Sequence, residues 1–303
     1  EGSAGCYHWS NTRTHRETRL APIPLSPLRY PGGKTRFVPH FVKWLGDERF
    51  PRVVEPFCGG ASVSLGLLKH NMVDTAVISD ADPLIAAFWR VATTRTEEFI
   101  ELMREEPVSV TRWTYWKNKH EQGLSPMGRA MKTLYLNRTS FSGLIRFGSV
   151  LGGVNQDQVL AEGGTVKYPV GCRFNKDTLA ASLTQIGKWH DEGRLLAQRR
   201  DYTAALKSVS PDDLVYLDPP YVEKADQLYG LSFGEHEHRD LAAWLYDHQP
   251  PTVISYDDLP LIRELYSDGM TVLEPSWSYG MGKSKKSREL LIHNLKGRPD
   301  DFD

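Results

Sequence analysis

Long apolar runs are missing from this 303-residue chain, and none approaches the roughly 20 residues that cross a bilayer. The polar start, EGSAGCYHWSNTRTHRETR, contains no apolar stretch and predicts no secretory leader. Cysteine is scarce. Cys6, Cys58 and Cys172 stand far apart, with neither metal-ligand spacing nor a disulfide framework, so a reducing compartment is expected. Net charge is nearly absent at −1, which removes any argument for or against nucleic acid from the whole-chain balance. The dinucleotide fingerprint G-x-G-x-x-G is missing too, since Gly59, Gly60 and Gly66 do not fit it. PGGKT at 31–35 lacks the first glycine of a phosphate-binding loop, because Leu28 stands in its place; nucleotide triphosphatase chemistry is excluded on that ground. No internal repeat is found.

What is present is ordinary globular text, 40% hydrophobic and 25% charged. TRFVPHFVKWL (35–45) predicts a helix, with Phe37, Phe41, Trp44 and Leu45 on one side. RVVEPF (52–57) and TAVISD (75–80) predict strands, each followed by helical text. Alternation returns at LLAQRRDY (195–202) and continues through LVYLDPPY (214–221), TVISYDD (252–258), TVLEPSW (271–277) and RELLIHN (288–294). The pattern predicts an α/β fold with a Rossmann-like, doubly wound sheet. Its two parts, 25–92 and 192–296, make one catalytic domain. They are separated by a mainly helical insertion over 93–191, too long for a loop, and flanked by tails at 1–24 (disordered) and 297–303.

The insertion has a charge of its own. Between Arg112 and Arg146 lie seven Lys/Arg and one acid, Glu121, interleaved with Trp113, Tyr115, Trp116, Tyr135 and Phe141. Such text suits phosphates and unstacked bases, although composition alone favours a solvated helical face. In VVEPFCGGASVSL (53–65) a strand runs through an acid and a Gly-Gly turn into a helix, and Asp80 ends the next strand. Glycines allow close backbone approach and a carboxylate can take both hydroxyls of a ribose, so together they indicate a nucleoside-type cofactor. VYLDPPYVEK (215–224) drives a buried strand into Asp218, Pro219, Pro220 and Tyr221. The prolines stop the strand and leave a stiff corner with a carboxylate, bare carbonyls and a ring, suited to something planar that carries donor hydrogens.

LRYPGGKTRF (28–37), VEPFCGGASVSL (54–65), LYLNRTSFSGLIR (134–146) and YLDPPY (216–221), in this order, resemble the Dam-type DNA adenine-N6 methyltransferases whose recognition domain lies between the cofactor half and the DPPY half. The likeness covers about 25 to 295. It implies S-adenosyl-L-methionine as cofactor, held by Tyr30, Lys34, Glu55, Phe57, Gly59, Gly60, Asp80, Asp201 and Asp218. It makes Asp218, Pro219, Pro220 and Tyr221 the catalytic corner. By the same resemblance, Lys117, Lys119, Asn137, Arg138, Ser142 and Arg146 face DNA. The family usually has asparagine where this chain has Asp82, and the stretch after Arg146 departs from the family's text.

The implied reaction is methyl transfer to N6 of an adenine flipped out of duplex DNA. Asp218 and the Pro219 carbonyl accept the two amine hydrogens and localise the nitrogen lone pair, with Tyr221 stacked on the base. Cytosine-N4 or RNA adenine methylation, and a silent DNA-binding relative, are the alternatives; cytosine-N4 relatives more often carry serine at the Asp218 position. The implied setting is a prokaryotic or phage-encoded cytoplasmic monomer, with a cognate restriction endonuclease as a further candidate partner. No metal is expected: His236 and His238, two apart, fall on different sides of a helix and read as surface or helix-start residues.

Overall fold

The computed structural model describes residues 26–29, 33–220, 233–275 and 289–298. Seven strands form one sheet in the order β3-β2-β1-β4-β5-β7-β6. They are β1 (Phe50–Glu55), β2 (Val73–Asp80), β3 (Leu195–Arg199), β4 (Leu214–Leu217), β5 (Thr252–Asp257), β6 (Thr271–Leu273) and β7 (Glu289–His293). The first five are parallel, and β7 runs antiparallel between β5 and β6. Parallel strands covered on both faces read as unbroken apolar runs, which is how LVYL became legible. Alternate residues serve opposite faces: Leu214 and Tyr216 join one apolar cluster, Val215 and Leu217 the other.

The first cluster is the larger. It is covered by α1 (Phe37–Leu45), α2 (Ser62–Lys69) and α3 (Pro83–Thr94). Gly66 of α2 admits α1, because a Cβ there would lie 2.3 Å from Val38 Cγ1. Onto this face also pack α4 (Thr96–Glu105), α5 (Val110–Asn118), α6 (Pro126–Thr139) and α8 (Lys176–Asp191), while α7 (Gln156–Ala161) lies between the last two in the chain. The helices of the insertion therefore share one core with the sheet: Phe99, Leu134 and Ile186 belong to the same cluster as Val53 and Ile78. Side-chain caps start three of them, α5, α6 and α8, from Ser109, Ser125 and Asn175. The other face carries α9 (Tyr202–Leu206), α10 (Glu235–His248) and α11 (Pro260–Leu265).

Strand order reverses at β1 and β4: the chain steps outward from β1 to β2 and β3, then crosses to the far side of β1. In an open α/β sheet, ligands lie beyond the carboxyl ends of the strands at such a switch point. Glu55 ends β1 and Asp218 follows β4, so both carboxylates stand there.

Candidate active site

A cavity of about 220 Å³ opens at this point. Its lining brings together Lys34, Glu55, Phe57, Gly59, Gly60, Asp80, Asp201, Asp218, Pro219 and Pro220 from five separate stretches of sequence. Tyr30 and Tyr221 lie outside the described residues.

Asp218 is held from two sides. The Lys34 ammonium donates to both carboxylate oxygens at 3.0 Å, and Ser255 Oγ, on β5, donates to Oδ1 at 2.9 Å. The Tyr216 hydroxyl lies 3.1 Å from Ser255 Oγ, extending the chain of contacts into the core. Lys34 is only 4% exposed and also pairs with Glu289 at the start of β7, at 2.8 Å. Lys34 thus stands on the DPPY carboxylate. Neither Ser255 nor Glu289 stood out in the sequence. A clue existed, since Ser255 lies near the end of the strand paired with β4, on the same face as Tyr216.

Of the remaining acids, Glu55 and Asp80 are shielded from water, whereas Asp201 is exposed. Glu55 is buried and accepts from Ser64 N at 3.0 Å, and its burial pushes the carboxyl up to about 8. Asp80 Oδ2 accepts from Gly59 N at 3.0 Å and Oδ1 from Asp82 N at 2.9 Å; burial still raises it to about 7. Gly59 adopts φ +43°, and its carbonyl accepts from Trp89 Nε1 at 2.8 Å, which ties the turn to α3. Asp201 caps α9: its Oδ1 accepts from Ala204 N at 2.8 Å and Thr203 Oγ1 at 2.7 Å, and these bonds hold its carboxyl below the usual range. Phe57 stacks on Tyr202 with centroids 5.5 Å apart, and Phe233 meets Phe57 edge-on at 5.4 Å. Tyr202, Phe233 and Glu237, which sequence reasoning passed over, complete the lining.

Two of the residues expected on DNA are placed differently. Asn137 and Arg138 are buried. Asn137 Oδ1 accepts from Arg29 N at 2.7 Å, its Nδ2 donates to Arg29 O at 2.6 Å and Gly143 O at 2.9 Å, and Arg138 Nε donates to Pro27 O at 2.6 Å. Both fasten the segment leading to Lys34, so their side chains are engaged inside the protein rather than presented to a duplex. Lys117 Nζ donates to Arg146 O at 2.7 Å and Gly148 O at 2.9 Å. Lys119 is exposed and lies 4.8 Å over the Tyr115 ring. Ser142 takes φ +56° in a tight turn whose neighbour Phe141 is 63% exposed. Arg146 joins two carboxylates, Asp82 and Glu121. Trp113, Trp116 and Tyr135, read from the sequence as rings interleaved with charge, are core residues. His238 is a further correction: it is fully buried on α10, 2.7 Å from the Tyr256 hydroxyl, whereas His236 is exposed beside Asp240. Among the described residues, no group of three or more His, Cys, Asp or Glu could hold a metal ion.

Residues 30–281 match the family model for D12 class N6 adenine-specific DNA methyltransferases, and the chain belongs to that family. It is 25% identical to the type II methyltransferase M1.LlaDCHI of Lactococcus lactis subsp. cremoris, over 90% of this chain and 96% of that protein. It is 24% identical to the DNA adenine methylase of Escherichia coli (strain K12), over 83% of this chain and 93% of that one. A likeness of 25% to the DNA N-6-adenine-methyltransferase of Escherichia phage P1 covers 95% of this chain but 37% of the phage protein. The protein is an adenine-specific DNA methyltransferase.

Proposed function

We infer that the Asp218 corner methylates N6 of an adenine swung out of duplex DNA, and that the adjoining cavity takes S-adenosyl-L-methionine. The cavity's acids fit that molecule. Glu55 suits an ammonium group, because a buried carboxylate raised to about 8 ionises readily only when a cation arrives. Asp80 has one backbone donor on each oxygen, so each oxygen keeps acceptor capacity for one ribose hydroxyl. Phe57, Tyr202 and Phe233 offer ring surface to a purine, and Asp201 Oδ2 takes neither of the two capping bonds. When bound, the cofactor supplies an electrophilic methyl on sulfonium sulfur.

The protein's part is positioning and fixed charge. Asp218 Oδ1 already accepts from Lys34 and Ser255, whereas Oδ2 accepts from Lys34 alone. Oδ2 is therefore the oxygen with room for an amine hydrogen, and the Pro219 carbonyl takes the second. Two acceptors draw the nitrogen toward a tetrahedral shape and stabilise the positive charge that grows on it; a preorganised group of this kind contributes about 3 kcal/mol. No base has to remove a proton before the methyl moves. The duplex itself is met by the insertion, where exposed Phe141, Phe147 and Tyr168 lie in the same stretch as Lys167 and Arg173, both within cation–π reach of Tyr168.

The anchored Asp218 beside an acid-lined cavity carries this reading. Labelled-methyl transfer to duplex DNA by Asp218→Ala tests it: transfer collapses while binding of cofactor and of DNA persists. Transfer at the wild-type rate removes the mechanism.

A further inference from the structure

A second cavity lies on the insertion, lined by Lys117, Lys119, His120, Glu121, Lys132 and Arg146 among others. Four of these are basic side chains and one is an acid. Lys132 is 5% exposed, and its ammonium meets the Lys119 carbonyl rather than a carboxylate. The Lys117 ammonium likewise rests on two carbonyls. Burial and neighbouring positive charge lower the proton affinity of both. Glu121, on a single 3-10 turn, lines the cavity and pairs with Arg146: Oε1 accepts from Arg146 Nε and Oε2 from Arg146 Nη2, each at 3.0 Å. The other edge of the same guanidinium holds Asp82, which caps α3 and lines the first cavity.

We propose that this basic cavity is a seat for one backbone phosphate of the DNA, and that Glu121 stands in for that phosphate until DNA displaces it. A planar fork that grips a carboxylate on two nitrogens grips phosphate oxygens in the same way. Glu121 is the exchangeable member, because its side chain is 30% exposed and Asp82 is 8% exposed. The location names the partner: Ile145 and Arg146 line the cavity, and the same segment carries exposed Phe141 and Phe147. The proposal rests on the DNA-methylating reading and adds to it where one phosphate sits and what holds its place.

The test uses the full chain and a duplex bearing the sequence it methylates, with affinity read by fluorescence anisotropy across a salt series. Glu121→Gln binds about five times more tightly than wild type, and the gain survives at high salt because it is a contact effect. Glu192→Gln, the same charge change at an exposed i,i+4 pair with Lys188, serves as control and shows no gain that survives at high salt. A scan of single methylphosphonates finds one position that weakens wild type about tenfold and weakens Lys132→Gln clearly less, Arg146 remaining on that phosphate; Lys132→Gln also lowers the salt slope by about 0.9. Lys132→Arg restores both readings. Equal gains in the two Glu variants, or a scan with no position coupled to Lys132, overturn the phosphate seat. Wild-type methyl transfer to the same duplex is measured alongside. Its absence counts against the DNA-methylating reading, whereas transfer with uncoupled variants counts against the seat alone.

Discussion

The two cavities are near mirror images in charge. One, at the switch point of the sheet, gathers Glu55, Asp80, Asp82, Asp201, Asp218 and Glu237 around a single ammonium, Lys34. The other, on the insertion, gathers Lys117, Lys119, Lys132 and Arg146 around a single carboxylate, Glu121. In each, the lone counter-ion touches the residue that matters most, and the Arg146–Asp82 pair is a wall common to both. The contrast teaches that a net charge of −1 conceals two strong and opposite fields. On the function and the phosphate seat proposed above, each would be matched to its own ligand, a cationic cofactor and an anionic duplex.

Removing the carboxylate at the acidic centre has the largest expected effect. Asp218→Ala lowers kcat about a thousandfold, because an acceptor made for the transition state is lost. Next is Lys34→Met, which separates two roles for that residue. A charged hydrogen bond is worth about 1.5–3 kcal/mol, so kcat falls about ten- to a hundredfold while cofactor Kd, read by calorimetry, moves less than about threefold. The opposite split would place Lys34 with the cofactor instead.

Glu55→Gln sharpens the comparison through pH. Above the unfolded value near 4.5, the unfolded state loses the Glu55 proton while the folded state keeps it up to about 8. Stability from this group is therefore greatest at low pH and falls as pH rises between those values. Glu55→Gln removes that fall, so it melts above wild type at pH 8 and the gap shrinks toward pH 5. Cofactor affinity drops about thirtyfold in the same variant, for want of a charge-assisted bond worth about 2 kcal/mol. The smallest effect on DNA, and a clear one on stability, is expected for Asn137→Ala. Losing its three hydrogen bonds, one buried and two part-buried, costs about 2 kcal/mol, a fall in Tm of about 4 °C, with DNA affinity of the folded protein unchanged.

The acidic cavity was far more legible than the basic one. Strand ends, the Gly-Gly turn and the DPPY corner are local text, and a parallel sheet places such ends together by topology alone. Lys34 was legible as a site residue, but its contact with Asp218, 184 positions away, depends on how the residues before α1 lie against the end of β4. The insertion defeated sequence reasoning for a different reason. A count of charges between 112 and 146 misses Glu106, the buried partner of Arg112, and says nothing of which ammonium meets a carbonyl. Asn137 and Arg138 sit in the segment that the resemblance assigns to DNA, yet a polar residue on a helix stretch buried from Ala130 to Thr139 has to bond inward. Asp82 drew notice only as a departure from the family's asparagine. Its charge is what lets it hold Arg146, a role visible only once α3 and the loop beyond α6 are side by side.

The ammonium of Lys34 reaches both the loop after β4 and the start of β7, so residues 34, 218 and 289 meet at one point. Synthesis delivers the first of these early and the third near the close of the described chain. A ribosome-bound precursor that has made the DPPY corner but not yet slotted β7 between β5 and β6 holds an unfinished triad. If Asp218 acts as proposed, methylation requires a completed sheet, and fragments that stop short of β7 should leave the genome unmarked.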